Sequence, residues 1–121
     1  MDEGKPLFVQ IAEGIEDRVV DGSLAEESRA PSTNELASFY RINPATAAKG
    51  VNMLVDKGVL YKRRGIGMFV SEGARDRVLA ERRQAFADRF IAPLIAEART
   101  LGLSPEDVTR LIRDYAPPHD S

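Results

Sequence analysis

Two helix-opening signatures stand close together in this 121-residue chain and restrict what it can fold into. Pro31-Ser32-Thr33-Asn34-Glu35 has Ser-x-x-Glu spacing, so the Ser32 hydroxyl can accept from the backbone N–H of residue 35 while Glu35 reaches back. Asn43-Pro44 follows after Leu36, Ala37, Phe39 and Tyr40. Asn is a good N-cap, Pro suits the first helical position, and a residue before proline is pushed out of the helical region. The spacing predicts a short helix of about two turns, a break at Arg41-Ile42, and a further helix running to Lys57 and stopped by Gly58.

The flanking segments complete a pattern. Pro6 suits the first position of an earlier helix, on which Leu7, Ile11, Ile15 and Val19 recur at spacing four, widened by Phe8 and Ala12. Gly22 ends it as the C′ residue, and Ser23 to Ala30 reads as a polar connection with Leu24 tucked under the core. On the helix after Asn43, Ala47, Val51, Leu54 and Val55 share one face, and Ala45, Lys49, Asn52 and Asp56 the opposite one, flanked by Thr46 and Met53. Gly50 weakens that helix by about 1 kcal/mol relative to Ala. Val59–Arg63 and Met68–Val70 read as short strands joined by Arg64-Gly65-Ile66-Gly67. Helix, short helix, helix, hairpin is a helix-turn-helix with a wing. The fold class expected is mainly α with a small β-hairpin.

From Glu72-Gly73 the character changes. Residues 75 to about 101 read as helix, with a stripe of Leu79, Phe86, Phe90, Leu94, Ala98 and Leu101, a kink at Pro93 and a stop at Gly102. Ser104-Pro105-Glu106-Asp107 is a second capping signature, opening a helix through Val108, Leu111, Ile112 and Tyr115 that Pro117-Pro118 ends. The expected organisation is a winged helix-turn-helix domain over 5–73, a two-helix C-terminal dimerisation region over 74–116, and a flexible tail over 117–121.

Charge adds the functional sign. The formal net charge of −2 argues at first against a nucleic-acid partner. Resolved along the chain, residues 1–40 carry three basic and nine acidic side chains, a net of −6. Residues 41–70 carry six basic (Arg41, Lys49, Lys57, Lys62, Arg63, Arg64) and one acidic (Asp56), a net of +5, and 71–121 close the sum at −1. The positive third coincides with the two parts of a winged helix that approach DNA. Asn43, Ala45, Thr46 and Lys49 at the start of the recognition helix can meet base edges and phosphates, Ala45 only by apolar contact. Lys62, Arg63 and Arg64 precede Gly65, where the backbone can come close to a phosphate. Asn43 and Ser32 can serve as helix caps as well as DNA contacts, and Gly65-x-Gly67 is a weak phosphate-loop signal better explained as hairpin turn chemistry.

Other classes fall away. With no Cys, disulfide scaffolds, Cys-based zinc sites, iron–sulfur clusters and thiol catalysis are excluded. The single His119 stands in a Pro-rich terminus and no carboxylate pair sits on a pocket-forming scaffold, so no catalytic, cofactor or metal residue is expected. The start at Met1-Asp2-Glu3 is acidic and no apolar leader follows. The longest apolar run, Phe90 to Ala96, is far shorter than the ~20 residues of a membrane span. A cytoplasmic location is expected.

The combination of Pro6-Leu7-Phe8-Val9-Gln10-Ile11, Gly22-Ser23-Leu24, Pro31-Ser32-x-x-Glu35-Leu36-Ala37, Asn43-Pro44-x-Thr46, Gly58 and Gly65-x-Gly67-x-Phe69-Val70 resembles the DNA-binding domain of GntR-family transcription regulators. The Asn-Pro-x-Thr start and the short tail look like the YtrA subfamily. The resemblance implies a homodimeric regulator, usually a repressor, on a palindromic operator in double-stranded DNA, often beside transporter genes. It places DNA contacts on Pro31–Glu35, which holds Ser32 and Asn34, on Asn43 to Lys49, and on the wing around Arg64 and Gly65; Arg41 leads into the second of these. Asn34 stands where the family usually has Arg, removing a phosphate-binding cation, and Ala30, Ala45, Ala47, Gly50 and Val51 depart from the usual residues too. The dimer contact is expected on Leu79, Phe86, Phe90, Leu94 and Leu101. A small-molecule effector is not readable; the groove between tail and winged domain would be its place. The competing reading is a winged helix used for protein–protein contact, its acidic first forty residues facing a basic partner.

Overall fold

A computed structural model describes residues 4–116 and forms both helix-opening signatures as expected. The acidic start 1–3, Pro117-Pro118, His119 and the tail 117–121 lie outside the described residues. The elements in order are α1 (Leu7–Asp21), α2 (Thr33–Tyr40), α3 (Pro44–Asp56), β1 (Leu60–Arg63), β2 (Gly67–Val70), α4 (Ala74–Phe86), a π-helical turn (Ala87–Ile91), α5 (Ala92–Thr100) and α6 (Pro105–Tyr115). Two compact units divide between Glu81 and Arg82.

In the first unit, Ser32 Oγ accepts from the Glu35 N–H at 3.0 Å, and Glu35 Oε1 accepts from the Ser32 N–H at 3.1 Å. Asn43 Oδ1 accepts from the Ala45 N–H at 2.8 Å. Between the two starts Arg41 adopts a left-handed conformation, φ 55°, which turns the chain from α2 into α3. Pro6 stands one place ahead of α1, not at its first residue, and its carbonyl accepts from the N–H groups of Val9 and Gln10. Ile11, Ile15 and Val19 of α1 meet Leu36 of α2, Val51 and Leu54 of α3, and Leu60 and Val70 of the hairpin in one buried cluster that includes Leu24.

Gly50 has a purpose that the sequence leaves hidden. It is buried where α3 crosses α1, and a Cβ built on it would lie 2.8 Å from the Phe8 carbonyl oxygen. Val55, expected on the core face, is only half-buried. Gly50→Ala should gain about 1 kcal/mol in helix propensity and lose more through forced separation of the backbones. The expected net is a destabilisation of roughly 1–2 kcal/mol, read by urea unfolding. A more stable variant would show that the helices part without cost.

The connection before α2 is not irregular. Glu27 N–H donates to Val70 O, Val70 N–H to Ser28 O, and Ala30 N–H to Met68 O, all within 2.8–2.9 Å. Residues 27–30 thus lie along the free edge of β2, with Arg29 opposite Phe69. The hairpin register is Leu60↔Val70, Tyr61↔Phe69, Lys62↔Met68 and Arg63↔Gly67. Because strand side chains alternate, Leu60 and Val70 enter the core while Tyr61, Arg63 and Phe69 share the outer face.

The first unit also reaches further along the chain than the expected 5–73. Ala74 and Val78 of α4 are buried in its core. Glu26 accepts from the N–H groups of Gly73 and Arg75, Arg75 Nε donates to Val20 O, and Arg77 donates to Gly58 O. These bonds tie the start of α4 to the end of α1 and the end of α3.

In the second unit α4 continues through the π-helical turn into α5. Pro93 has no N–H, and its ring would press on the carbonyl four residues back, at Arg89, which lies inside that turn. The chain meets this by widening one turn: the Ala92 N–H donates to Ala87 O, five residues back. Ser104 Oγ accepts from the Asp107 N–H and Asp107 from the Ser104 N–H, so the second capping box is also present at the head of α6.

Candidate nucleic-acid interface

Every residue expected to meet DNA lies in the first unit, on α2, α3, the turn between them or the hairpin. Asn34 is exposed in the first turn of α2, and Arg41 is exposed at its left-handed end. Asn43 uses its carbonyl oxygen as the cap, which leaves the side-chain N–H₂ as a donor directed by a fixed helix start. Ala45 is exposed, and Thr46 half-buried, in the first turn of α3. Ser32 is occupied as an acceptor but keeps its hydroxyl hydrogen. Its partner Glu35 is held below the usual carboxylate range by the Ser32 N–H, then by the Ser32 side chain and the nearby Arg29 charge. The box therefore stays ionised and closed at neutral pH.

Two of the cations rest on aromatic rings. Lys49 is exposed on α3 and its Nζ stands 4.3 Å above the centre of the Phe8 ring, a cation–π contact. The close crossing permitted by Gly50 brings that α1 ring under the α3 ammonium. Arg63 lies over Phe69, its guanidinium carbon 4.5 Å from the ring centre, with Tyr61 beside it. Tyr61 OH donates to Glu27 at 2.7 Å, and this bond raises the phenol above its ordinary pKa. Lys62, Arg64 and Gly65 are exposed at and beside the hairpin tip, where the Ile66 N–H donates to Arg63 O. Gly65 has φ 77°, the left-handed turn that glycine adopts without strain.

Sequence reasoning missed two residues here. Ile66, more than half exposed at the hairpin tip, is an apolar side chain held out between two glycines. Arg29, counted with the acidic first forty residues, stands against the hairpin through the bridge to Phe69. Its signal was spacing: it lies three residues ahead of the Ser32 cap.

The residues expected to join two copies fall in both units. Leu79 is half-buried in the first. In the second, Phe86 and Phe90 are 56% and 50% exposed with ring centres 5.4 Å apart, and Leu94 and Leu101 are exposed as well. Leu111, Ile112 and Tyr115 on α6 add exposed apolar surface that the sequence reading left unassigned. Among the described residues no group of three or more metal-ligating side chains is arranged to hold an ion, and no helix is long and apolar enough to cross a membrane.

A two-helix DNA-reading unit followed by a basic hairpin defines a winged helix-turn-helix protein. Residues 7–70, just over half the chain, match the GntR family of bacterial regulatory proteins, and the chain belongs to that family. It is a transcriptional regulator with a DNA-binding GntR domain. The HTH-type transcriptional repressor YtrA of Bacillus subtilis is 27% identical over 111 residues, which span 92% of this chain and 85% of the relative. A solved GntR-family regulator from Bacteroides thetaiotaomicron superposes with a TM-score of 0.76 at 29% identity, covering 91% of this chain and 96% of that one. The DNA-binding domain of AraR, solved in complex with operator ORX1, superposes on 59% of this chain and 87% of its own, with a TM-score of 0.54 at 29% identity.

Proposed function

We propose that the chain is a homodimeric repressor that reads a palindromic operator with the first turn of α3, the head of α2 and the hairpin. The carrying observation is that the +5 segment falls on α3 and the hairpin, with Lys49, Arg63 and Arg64 exposed and the first two helix starts capped. The likeness to YtrA supports repression, and the AraR complex supports the use of a homologous face on an operator. Two recognition helices must reach half-sites about one helical turn, ~34 Å, apart. The exposed Phe86, Phe90, Leu94 and Leu101 supply an apolar face for pairing the copies. The work of such a regulator places it in the cytoplasm, and the family resemblance makes transporter genes the first targets to test.

The test is a gel-shift against the DNA upstream of the protein's own gene, with competitor DNA and graded salt. Specific retention is expected. Lys49→Ala and Arg64→Ala should each weaken binding and lower the slope of log K against log salt by about one unit per phosphate contact removed. Slopes equal to wild type would remove both side chains from the DNA face. Retention of no duplex at all would favour the protein–protein reading.

A further inference from the structure

Arg29 lies on the outer face of the hairpin, beside the head of α2. Its bridge to Phe69 is flanked by the bonds Val70 N–H to Ser28 O and Ala30 N–H to Met68 O. That is the close, non-hydrogen-bonded type of antiparallel pair, in which the two side chains share one face. Ala30, the next residue, is buried, so Arg29 points to the opposite side, where Phe69 and Tyr61 stand in the same row. The following row holds Arg63 and Gly67. Gly67 has no side chain, and Arg29 occupies that space: its Nε lies 3.2 Å, and one terminal nitrogen 3.5 Å, from where a Cβ would stand. Arg29 therefore leans toward the row of Arg63, while Arg63 leans back over Phe69.

Both guanidinium groups lie on the outer face of the hairpin, Arg29 against Gly67 and Arg63 over Phe69. Among the described residues the Arg29 guanidinium has no hydrogen-bond acceptor and no ion-pair partner. The two carboxylates near this surface are already engaged, Glu27 by Tyr61 OH and Glu35 by the Ser32 N–H. The Arg29 charge also helps to hold Glu35, in the first turn of α2, below its ordinary pKa. Asn34 brings no charge there. A planar fork of N–H donors, prepositioned by a glycine and left without an acceptor, suits the oxygen atoms of a phosphodiester.

We propose that Arg29 is a backbone-phosphate contact of the DNA face, gripping the strand that passes between the hairpin and the head of α2, alongside Arg63. This rests on the DNA-binding reading above and adds to it a cation from a segment that is otherwise acidic. A phosphate contact positions the duplex without reading sequence, so Arg29 should strengthen specific and non-specific binding by the same factor.

The experiment uses the full chain, one duplex enriched from a random-sequence library by the wild-type protein, and one mixed-sequence duplex of equal length. Arg29→Met keeps a long unbranched side chain and removes the charge; Arg29→Lys keeps the charge. The Met variant should bind both duplexes about 5–10-fold more weakly per bound protomer near 0.1 M salt, with the salt slope reduced by about 0.9 per protomer. The Lys variant should retain the wild-type slope. A purely structural role would change the unfolding midpoint and leave the slope intact, and a Met variant with the wild-type slope overturns the proposal. Inorganic phosphate at matched ionic strength should displace neither duplex. Protection of wild type, but not of the Met variant, by inorganic phosphate against urea unfolding, with duplex affinity and salt slope equal in the two proteins, would assign the site to a free phosphate ion and overturn it too. If the wild-type protein enriches no sequence and binds neither duplex, the DNA-binding reading falls first and this contact with it.

Discussion

Replacing Phe86 and Phe90 together by Asp is expected to give a folded monomer whose operator affinity is lower by about 10²–10⁴-fold, the loss of linked binding at two half-sites. The two rings sit four residues apart, their centres separated by 5.4 Å, and each leaves about half of its surface to solvent. Fully burying a Phe contributes about 1.5–3 kcal/mol, so the exposed half of each ring is worth roughly half of that. An isologous two-fold contact uses every residue twice. In the proposed dimer four half-rings then supply roughly 3–6 kcal/mol, which is two to four decades in dimer dissociation. Asp at both positions removes this and adds like charges across the axis. Since both side chains are exposed, the helix around them should persist, and far-UV circular dichroism checks that it does. Sedimentation velocity gives the decisive reading. A double variant that sediments as a dimer would move the pairing surface elsewhere, to the exposed Leu111, Ile112 and Tyr115 of α6 before any other.

How far the sequence could be read depended on whether a feature was local. Capping at Ser32, Asn43 and Ser104 depends on a few neighbouring residues, so spacing alone predicted all three helix starts. The stop at Gly22 and the Gly65-x-Gly67 turn follow from backbone freedom and were equally legible. Features that need two distant segments were not. Gly50 read as a weak point in a helix because nothing near it in sequence reveals the Phe8 carbonyl that approaches it. Residues 27–30 read as a polar connection because a single bridge to β2 has no alternation long enough to show. Arg29 was hidden by the same fact, and by its acidic neighbours Glu26 and Glu27. Pro93 announced a disturbance correctly, but whether a helix kinks or takes up a π turn depends on packing that a proline does not encode. For the proposed DNA face, the charge distribution pointed to α3 and the hairpin, while the rings beneath Lys49 and Arg63 became visible only in three dimensions.

Lys57→Met is expected to lower the stability of the winged unit by about 2–4 kcal/mol, the largest effect of any single substitution considered. Lys57 ends α3, and its Nζ donates to Glu16 Oε2 of α1 at 3.0 Å while also pairing with Glu81 of α4. Glu16 is 3% exposed, the one buried charged residue among the described residues. Removing the cation leaves a buried carboxylate without this partner, and its desolvation is then offset by less. The figure sits below the ~3–5 kcal/mol of a fully buried pair because the Lys57 side chain keeps 22% of its exposure, so water already screens part of the attraction. Partial burial alone would push Lys57 down, but its bonds to Glu81 and Glu16 outweigh that and hold it above its ordinary value. A raised lysine stabilises the fold fully below its unfolded-state pKa of about 10.4 and loses that contribution as pH climbs through the higher folded value. The difference between wild type and Lys57→Met should therefore be constant across neutral pH and shrink in strong alkali. Urea unfolding of the full chain at pH 7 measures the loss, and a cost under about 0.5 kcal/mol, the scale of an exposed ion pair, would show that water already solvates both partners. Glu16→Leu combined with Lys57→Met should recover most of the stability, since an apolar pair of similar volume needs no counter-charge. A double variant as unstable as the single one would mean that the ion pair fixes the angle between α1 and α3, the same angle that brings Phe8 under Lys49 on the proposed DNA face.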